Sequence, residues 1–132
     1  MTPVAPEPGS TGRYVVHEHY ASRHHFDLRL EGAGVLWSWA LPKGVPIDPR
    51  RNHLAVRVED HDLDHIDVED STPVEGVAGA IAKSIWDTGT YTVVRADERK
   101  LVIDLSGRRG SARYALIHTG GENWMLHLMT RD

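Results

Sequence analysis

Turn-forming residues interrupt this chain so often that no stretch between them holds a 3.6-residue apolar period over three turns. What lies between the turns is short and β-prone. The spacing predicts strands over 13–18, 24–31, 35–40, 54–60, 81–86, 90–95, 101–105, 112–118 and 124–129. Gly32, Ala33 and Gly34 punctuate them, as do Asp87, Thr88 and Gly89, then Ser106 and Gly107, then Gly120 and Gly121. Each group can adopt the positive φ of a tight turn. Only 77–83, with its alanines, would also suit a helical turn. The expected class is all-β with minor α: a small closed or nearly closed β-barrel of about eight strands, with one or two short helical turns. Closure removes the unpaired edges that an open sheet of short strands would expose.

With 132 residues the chain can build one core but not two. A flexible tail is expected over 1–12, which holds three prolines and two glycines, and a single domain over 13–132. Hydrophobic residues make up 40% and charged residues 26%, a balance that argues against disorder. No apolar run reaches the roughly 20 residues of a membrane span. No basic segment followed by an apolar one opens the chain, so a cytoplasmic, monomeric protein without membrane association is expected.

Cysteine is absent, which excludes disulfides and thiolate metal sites. Any metal must be held by His, Asp or Glu. A net charge of −4 excludes a generic polyanion binder. The charge is uneven, however. From Arg13 to Arg57 seven Lys/Arg face four Asp/Glu, whereas from Glu59 to Glu75 there are eight acids and no Lys or Arg. The first part can meet phosphate; the second should face solvent or a metal.

The nine histidines carry most of the chemistry. In the strand beginning at His24, alternation puts Phe26, Leu28 and Leu30 on a core face and His25, Asp27, Arg29 and Glu31 on the other. Alone, that row also fits an exposed ladder of salt bridges. Two further segments favour a site. His17 and His19 share one direction, and alternation in 54–60 puts Arg57, Glu59 and His61 on a polar face. His19, Asp27 and His61 would form a two-histidine, one-carboxylate set suited to Mn²⁺, Fe²⁺, Co²⁺ or Zn²⁺. Lys43, between Pro42 and Gly44, sits in a fixed turn where it can meet phosphate. Trp37, Trp39, Trp86 and Trp124 read as core, and His24, His118 and His127 as surface or structural residues.

Three blocks, His19 to Glu31, Gly34 to Gly44 and Leu54 to His61, closely resemble the 3′-phosphoesterase domain of bacterial DNA ligase D, an end-joining enzyme. The likeness covers roughly residues 13–129. It implies a small β-barrel and a manganese-dependent hydrolase, with Co²⁺ or Zn²⁺ as other ions. The implied activity removes a 3′-terminal ribonucleoside from a DNA primer strand to leave a 3′-phosphate, and/or hydrolyses a 3′-phosphate to leave a 3′-OH. By matching positions, His19, Asp27 and His61 are the implied metal ligands, and His25 and Arg29 the implied contacts to the scissile phosphate. Ser38 and Lys43 match polar positions nearby, and Glu31 and Glu59 match supporting acids. The implied substrate is the 3′ end of a DNA or RNA/DNA primer-template. Implied partners are end-joining ligase or polymerase proteins, which a stand-alone version would meet in trans.

The chain departs from that pattern where His53 replaces a frequent arginine and His65 a frequent tyrosine. His53 then offers the phosphate a pH-dependent donor, and His65 stands in for the tyrosine in catalysis. The segment 74–82 differs as well. These changes leave a second reading: a catalytically weakened module of the same fold that binds nucleic-acid 3′ ends. A cupin-like oxidoreductase fails, since Arg23 and His24 stand where its glutamate is needed.

Overall fold

The computed structural model describes residues 3–129. Met1 and Thr2 of the expected tail, and residues 130–132 of the expected domain, lie outside that range. Nine strands follow in order: β1 (Thr11–Tyr20), β2 (His24–Gly32), β3 (Val35–Leu41), β4 (His53–His61), β5 (Asp70–Pro73), β6 (Ile81–Ala96), β7 (Lys100–Gly107), β8 (Gly110–Gly120) and β9 (Asn123–Met129). A 3-10 helical turn, Leu63–Asp67, separates β4 from β5 and is the sole helical element among the described residues. All pairings are antiparallel. The sheet runs β1-β2-β3-β4-β9-β8-β7-β6, and pairing of β6 back onto β1 closes it into an eight-stranded barrel. Strand β5 adds to β6 outside the ring. The expected barrel is the observed one.

Alternation fills the interior. Tyr14 and Val16 of β1, Leu28 and Leu30 of β2, and Trp37, Trp39 and Leu41 of β3 point into the main core. Trp39 is fully buried, and truncating such a side chain to alanine costs about 3–5 kcal/mol. A second, smaller cluster lies on the outer wall, where Val15, Leu36 and Ile66 pack with Ile85. Ile66 belongs to the 3-10 turn, so this cluster clamps that turn against the outside of the barrel.

Three local expectations are corrected. The segments 81–86 and 90–95 are not separate strands: β6 runs unbroken for 16 residues. Gly89 does not turn the chain. A Cβ there would lie 2.0 Å from the Ser106 carbonyl oxygen, so the glycine permits a close strand approach. Where the chain does turn, between β2 and β3, Ala33 (φ 51°) and Gly34 (φ 79°) take the positive φ expected of a two-residue hairpin. The third correction concerns β4. Ala55 and Arg57 are buried while Leu54 is 49% exposed, so Arg57 faces inward, over the Trp39 ring at 5.3 Å, and bonds Asp60 at 2.7 Å. A register shift opposite Leu36 to Ser38 then separates His61 from the alternation set by Arg57.

Ahead of β1, the Gly9 N–H donates to the Val93 carbonyl at 2.7 Å and the Ser10 carbonyl accepts from Val93 N–H at 2.9 Å. Val4 packs against the main core. The strand itself starts at Thr11.

Candidate active site

Residues that alternate with the core positions of β1 and β2 face the outer wall, and antiparallel register lines them up. His19 pairs with His25, His17 with Asp27 and Val15 with Arg29. Arg29 in turn pairs with Ser38 of β3, and His19 with Lys83 of β6. Imidazoles, a carboxylate, a guanidinium and an ammonium thus meet on one patch. The 3-10 turn, held down by Ile66, overhangs it and brings His65 against two of the histidines. The His65 ring stacks on His61 at 4.5 Å and meets His17 edge-on at 5.5 Å.

The centre of the patch is buried. Asp27 is 5% exposed and Arg29 3%. Arg29 spends its donors in several directions. Its Nε–H donates to Nδ1 of His17 at 3.3 Å, Nη1 donates to Ser38 Oγ at 2.9 Å, and Nη2 lies 3.5 Å from Asp27 Oδ2. Ser38 passes its own proton to the Leu36 carbonyl. A guanidinium has five N–H groups, so one on each Nη is left for a ligand.

His17 must be neutral to accept from Arg29. Its Nε2–H donates to the Val68 carbonyl at 2.9 Å, which leaves the Nδ1 lone pair for the guanidinium. Burial first, then the positive charges of Arg29 and Lys83, push its pKa down to about 3. Burial and the same two cations bring His65 down to about 4, and lower His61. His19 is lowered by burial, then by Lys83 and His25. These imidazoles therefore offer lone pairs at neutral pH, the form that binds cations.

Three of the side chains converge as metal ligands do. Donor atoms of His19, His25 and Asp27 lie within 4.8 Å of one another. His25 Nε2 is 3.3 Å from Asp27 Oδ2, and His19 Nδ1 is 3.7 Å from the same oxygen. His25 donates its Nδ1–H to the Arg23 carbonyl at 3.0 Å, so its Nε2 aims a lone pair at a carboxylate. Two lone pairs facing at that distance suit a cation between them. The donor set of nitrogen and carboxylate oxygen fits a borderline divalent ion.

The other expected residues are placed as follows. His61 is outside the tight group but close enough for the Asp27 charge to act on it. Ser38 is buried and holds Arg29. Lys43 is exposed in the turn after β3. His53 is tied through Nδ1 to the Gly44 carbonyl at 2.7 Å, so that nitrogen serves the loop. Glu31 lies at the far end of β2, where its carboxylate accepts from Arg13 N–H at 3.2 Å. Glu59 is exposed and takes no hydrogen bond among the described residues.

Two residues escaped the sequence reading. His17 was visible as the alternation partner of His19, but nothing local shows that it supports Arg29. Lys83, whose Nζ donates to His65 Nε2 at 3.2 Å, comes from a strand 64 residues beyond its register partner His19. Only the closure of β6 onto β1 brings it in.

An antiparallel barrel with a histidine–aspartate group and a buried arginine on its outer wall defines a class: a small β-barrel whose outer wall carries a donor group compatible with a metal ion. Residues 17–118 match the DNA Ligase D 3'-phosphoesterase domain. The chain is 42% identical over 92% of its length to the multifunctional non-homologous end joining protein LigD of Mycobacterium bovis. It is 39% identical over 94% of its length to that of Mycolicibacterium smegmatis, and 45% identical over 86% to that of Pseudomonas aeruginosa. The chain belongs to the DNA ligase D 3′-phosphoesterase domain family. It spans 16%, 18% and 14% of these three relatives. Membership supports a phosphoesterase role.

Proposed function

We propose that this domain is a metal-dependent 3′-end-processing phosphoesterase. It removes a 3′-terminal ribonucleoside, a 3′-phosphate or both from a DNA primer strand and leaves a 3′-OH for repair. The observation that carries this reading is Arg29, 3% exposed and braced by His17, Ser38 and Asp27, beside the His19–His25–Asp27 group. A guanidinium so fixed has lost its conformational freedom before a ligand arrives, and its planar fork favours an oxyanion such as phosphate that offers two oxygens side by side.

His19, His25 and Asp27 would hold the ion, with His61 as the further imidazole that the family resemblance supplies. Mn²⁺ is the ion proposed, with Co²⁺ or Zn²⁺ as substitutes. When bound, it would supply positive charge to the ester oxygens and acidify water. Arg29 grips a non-bridging phosphate oxygen through its remaining Nη–H groups. Ser38 keeps the guanidinium in plane. His65, over the patch, is the group available to exchange a proton with the substrate. Exposed Lys43 meets the strand's phosphates outside the centre. With its Nδ1 committed to Gly44, His53 can offer only Nε2 there. Glu31 and Glu59 support charge balance at a distance. The partner is a DNA or RNA/DNA primer-template 3′ end, with an end-joining ligase or polymerase acting next. The working unit is the domain 13–132.

The test is incubation of the protein with duplex primers ending in one ribonucleotide or in a 3′-phosphate, across a series of divalent ions. Manganese-dependent appearance of a 3′-OH supports the reading. Tight binding of the same primers without turnover would favour the end-binding module instead.

A further inference from the structure

Lys83 is a half-buried cation with no close ion pair among the described residues. Its Nζ makes one hydrogen bond, to His65 Nε2 at 3.2 Å, and no carboxylate oxygen lies within 4.0 Å of it among the described residues. Its neighbour across β5, Asp70, turns its carboxylate into its own loop, where Oδ1 accepts from Thr72 N–H at 3.0 Å and from Thr72 Oγ at 2.6 Å. On its other side Lys83 faces His19 in register. The charges acting on it are Arg29, Asp27 and Asp70.

The charge count is therefore uneven. Among the buried and half-buried side chains of the patch, Arg29 and Lys83 are cations and Asp27 is the carboxylate, while Asp70 is exposed and acts on Lys83 from outside. Two cations facing one buried carboxylate are stabilised by an incoming anion. They are stabilised more by a dianion than by a monoanion. Arg29 and Lys83 lie on the two strands that flank β1, Arg29 opposite Val15 and Lys83 opposite His19, so they approach the β1 histidines from opposite sides.

We propose that Lys83 is a phosphate-binding residue of this site, and that its charge tilts the site toward terminal phosphomonoesters, which are dianions, over phosphodiesters, which are monoanions. This rests on the phosphoesterase reading and adds a specificity-determining residue to it. Lys83 holds the phosphate while His65 keeps its place, because the ammonium has two N–H groups left after bonding His65.

The experiment compares wild-type protein with Lys83→Met, which keeps the length of the side chain, with Lys83→Gln as a second neutral form, and with Lys83→Arg. Circular dichroism confirms folding. Inorganic phosphate binding is followed by calorimetry on metal-free and manganese-loaded protein, and kcat/KM is measured on a 3′-phosphate primer and a 3′-ribonucleotide primer. Either neutral variant should weaken phosphate binding about tenfold, the value of one charge-assisted hydrogen bond. The ratio of monoester to diester kcat/KM should fall by a similar factor, and Lys83→Arg should restore both. Unchanged phosphate affinity in the folded neutral variants overturns the proposal, as does a failure of the wild-type protein to bind phosphate at all. An unchanged ratio overturns the specificity claim. If the wild-type protein turns over neither primer, the phosphoesterase reading fails by itself, and the phosphate titration still decides the role of Lys83.

Discussion

Nδ1 of His17 accepts a hydrogen bond from Nε of Arg29 at 3.3 Å inside the wall of the barrel. The bond is possible because Nε2 of the same ring donates to the Val68 carbonyl at 2.9 Å, in the segment after the 3-10 turn. One neutral histidine thus links the overhanging turn to the guanidinium.

That link can be cut. His17→Leu leaves both the Arg29 Nε–H and the Val68 carbonyl without a partner. Val68 is 38% exposed, so water can reach its carbonyl, but the buried Arg29 N–H left unpaired costs about 1–3 kcal/mol. Urea unfolding should show a stability loss in that range. Under conditions where the variant stays folded, kcat/KM should fall more than tenfold. His17→Gln, whose amide can accept from Arg29 and donate to Val68, should recover most of both.

Acid should weaken the fold through the same residue. Burial sets the folded pKa of His17 near 3, well below its unfolded value of about 6.5. Between those values the unfolded chain binds more protons, so the stability present above pH 6.5 is lost as pH falls toward 3. The slope from this one group is about 1.4 kcal/mol per pH unit. Chemical unfolding of metal-free protein at pH 7, 6, 5 and 4 should show the decline, with His65, held near 4, adding to it. His17→Gln should flatten the curve.

Removing ligands should separate the two assignments for the third ligand. His19→Ala and Asp27→Ala should each abolish manganese-dependent turnover and weaken manganese binding at least tenfold, measured by calorimetry. If His25 is a ligand, as its lone pair toward Asp27 indicates, His25→Ala will lose affinity comparably. If the third ligand is His61 and His25 only touches phosphate, His25→Ala will lose turnover but keep its manganese affinity.

A backbone prediction tests the barrel rather than the site. Gly89→Ala would place a methyl group 2.0 Å from the Ser106 carbonyl oxygen and 2.6 Å from the Gly107 Cα, both backbone atoms. Overpacking of this kind costs about 1–3 kcal/mol when neighbours can move. Here the neighbours are strand backbone, so thermal unfolding should place the variant at or beyond the upper end.

The barrel was legible because its strands alternate cleanly and its turns are marked. Phe26, Leu28 and Leu30 pointed inward as read, and Trp37 and Trp39 proved to be core. Asp27 and Arg29 also shared a face, but their burial could not be read: it comes from the clamped 3-10 turn and the neighbouring strands. Period-two reasoning failed at β4, where the register shift separates Arg57 from His61. It missed β5, since Asp70 to Pro73 reads as loop and pairs only because β6 offers an edge. Lys83 was invisible for the most general reason. Its neighbours are set by which strands close the barrel, a long-range choice that no local pattern encodes.

The most direct test of the account is an X-ray structure grown with manganese, with anomalous scattering used to locate the ion. A single anomalous peak bounded by His19, Asp27 and at least one of His25 and His61, with the Arg29 guanidinium beside it, is the expected result. An empty patch, or a peak held by other residues, would contradict the account.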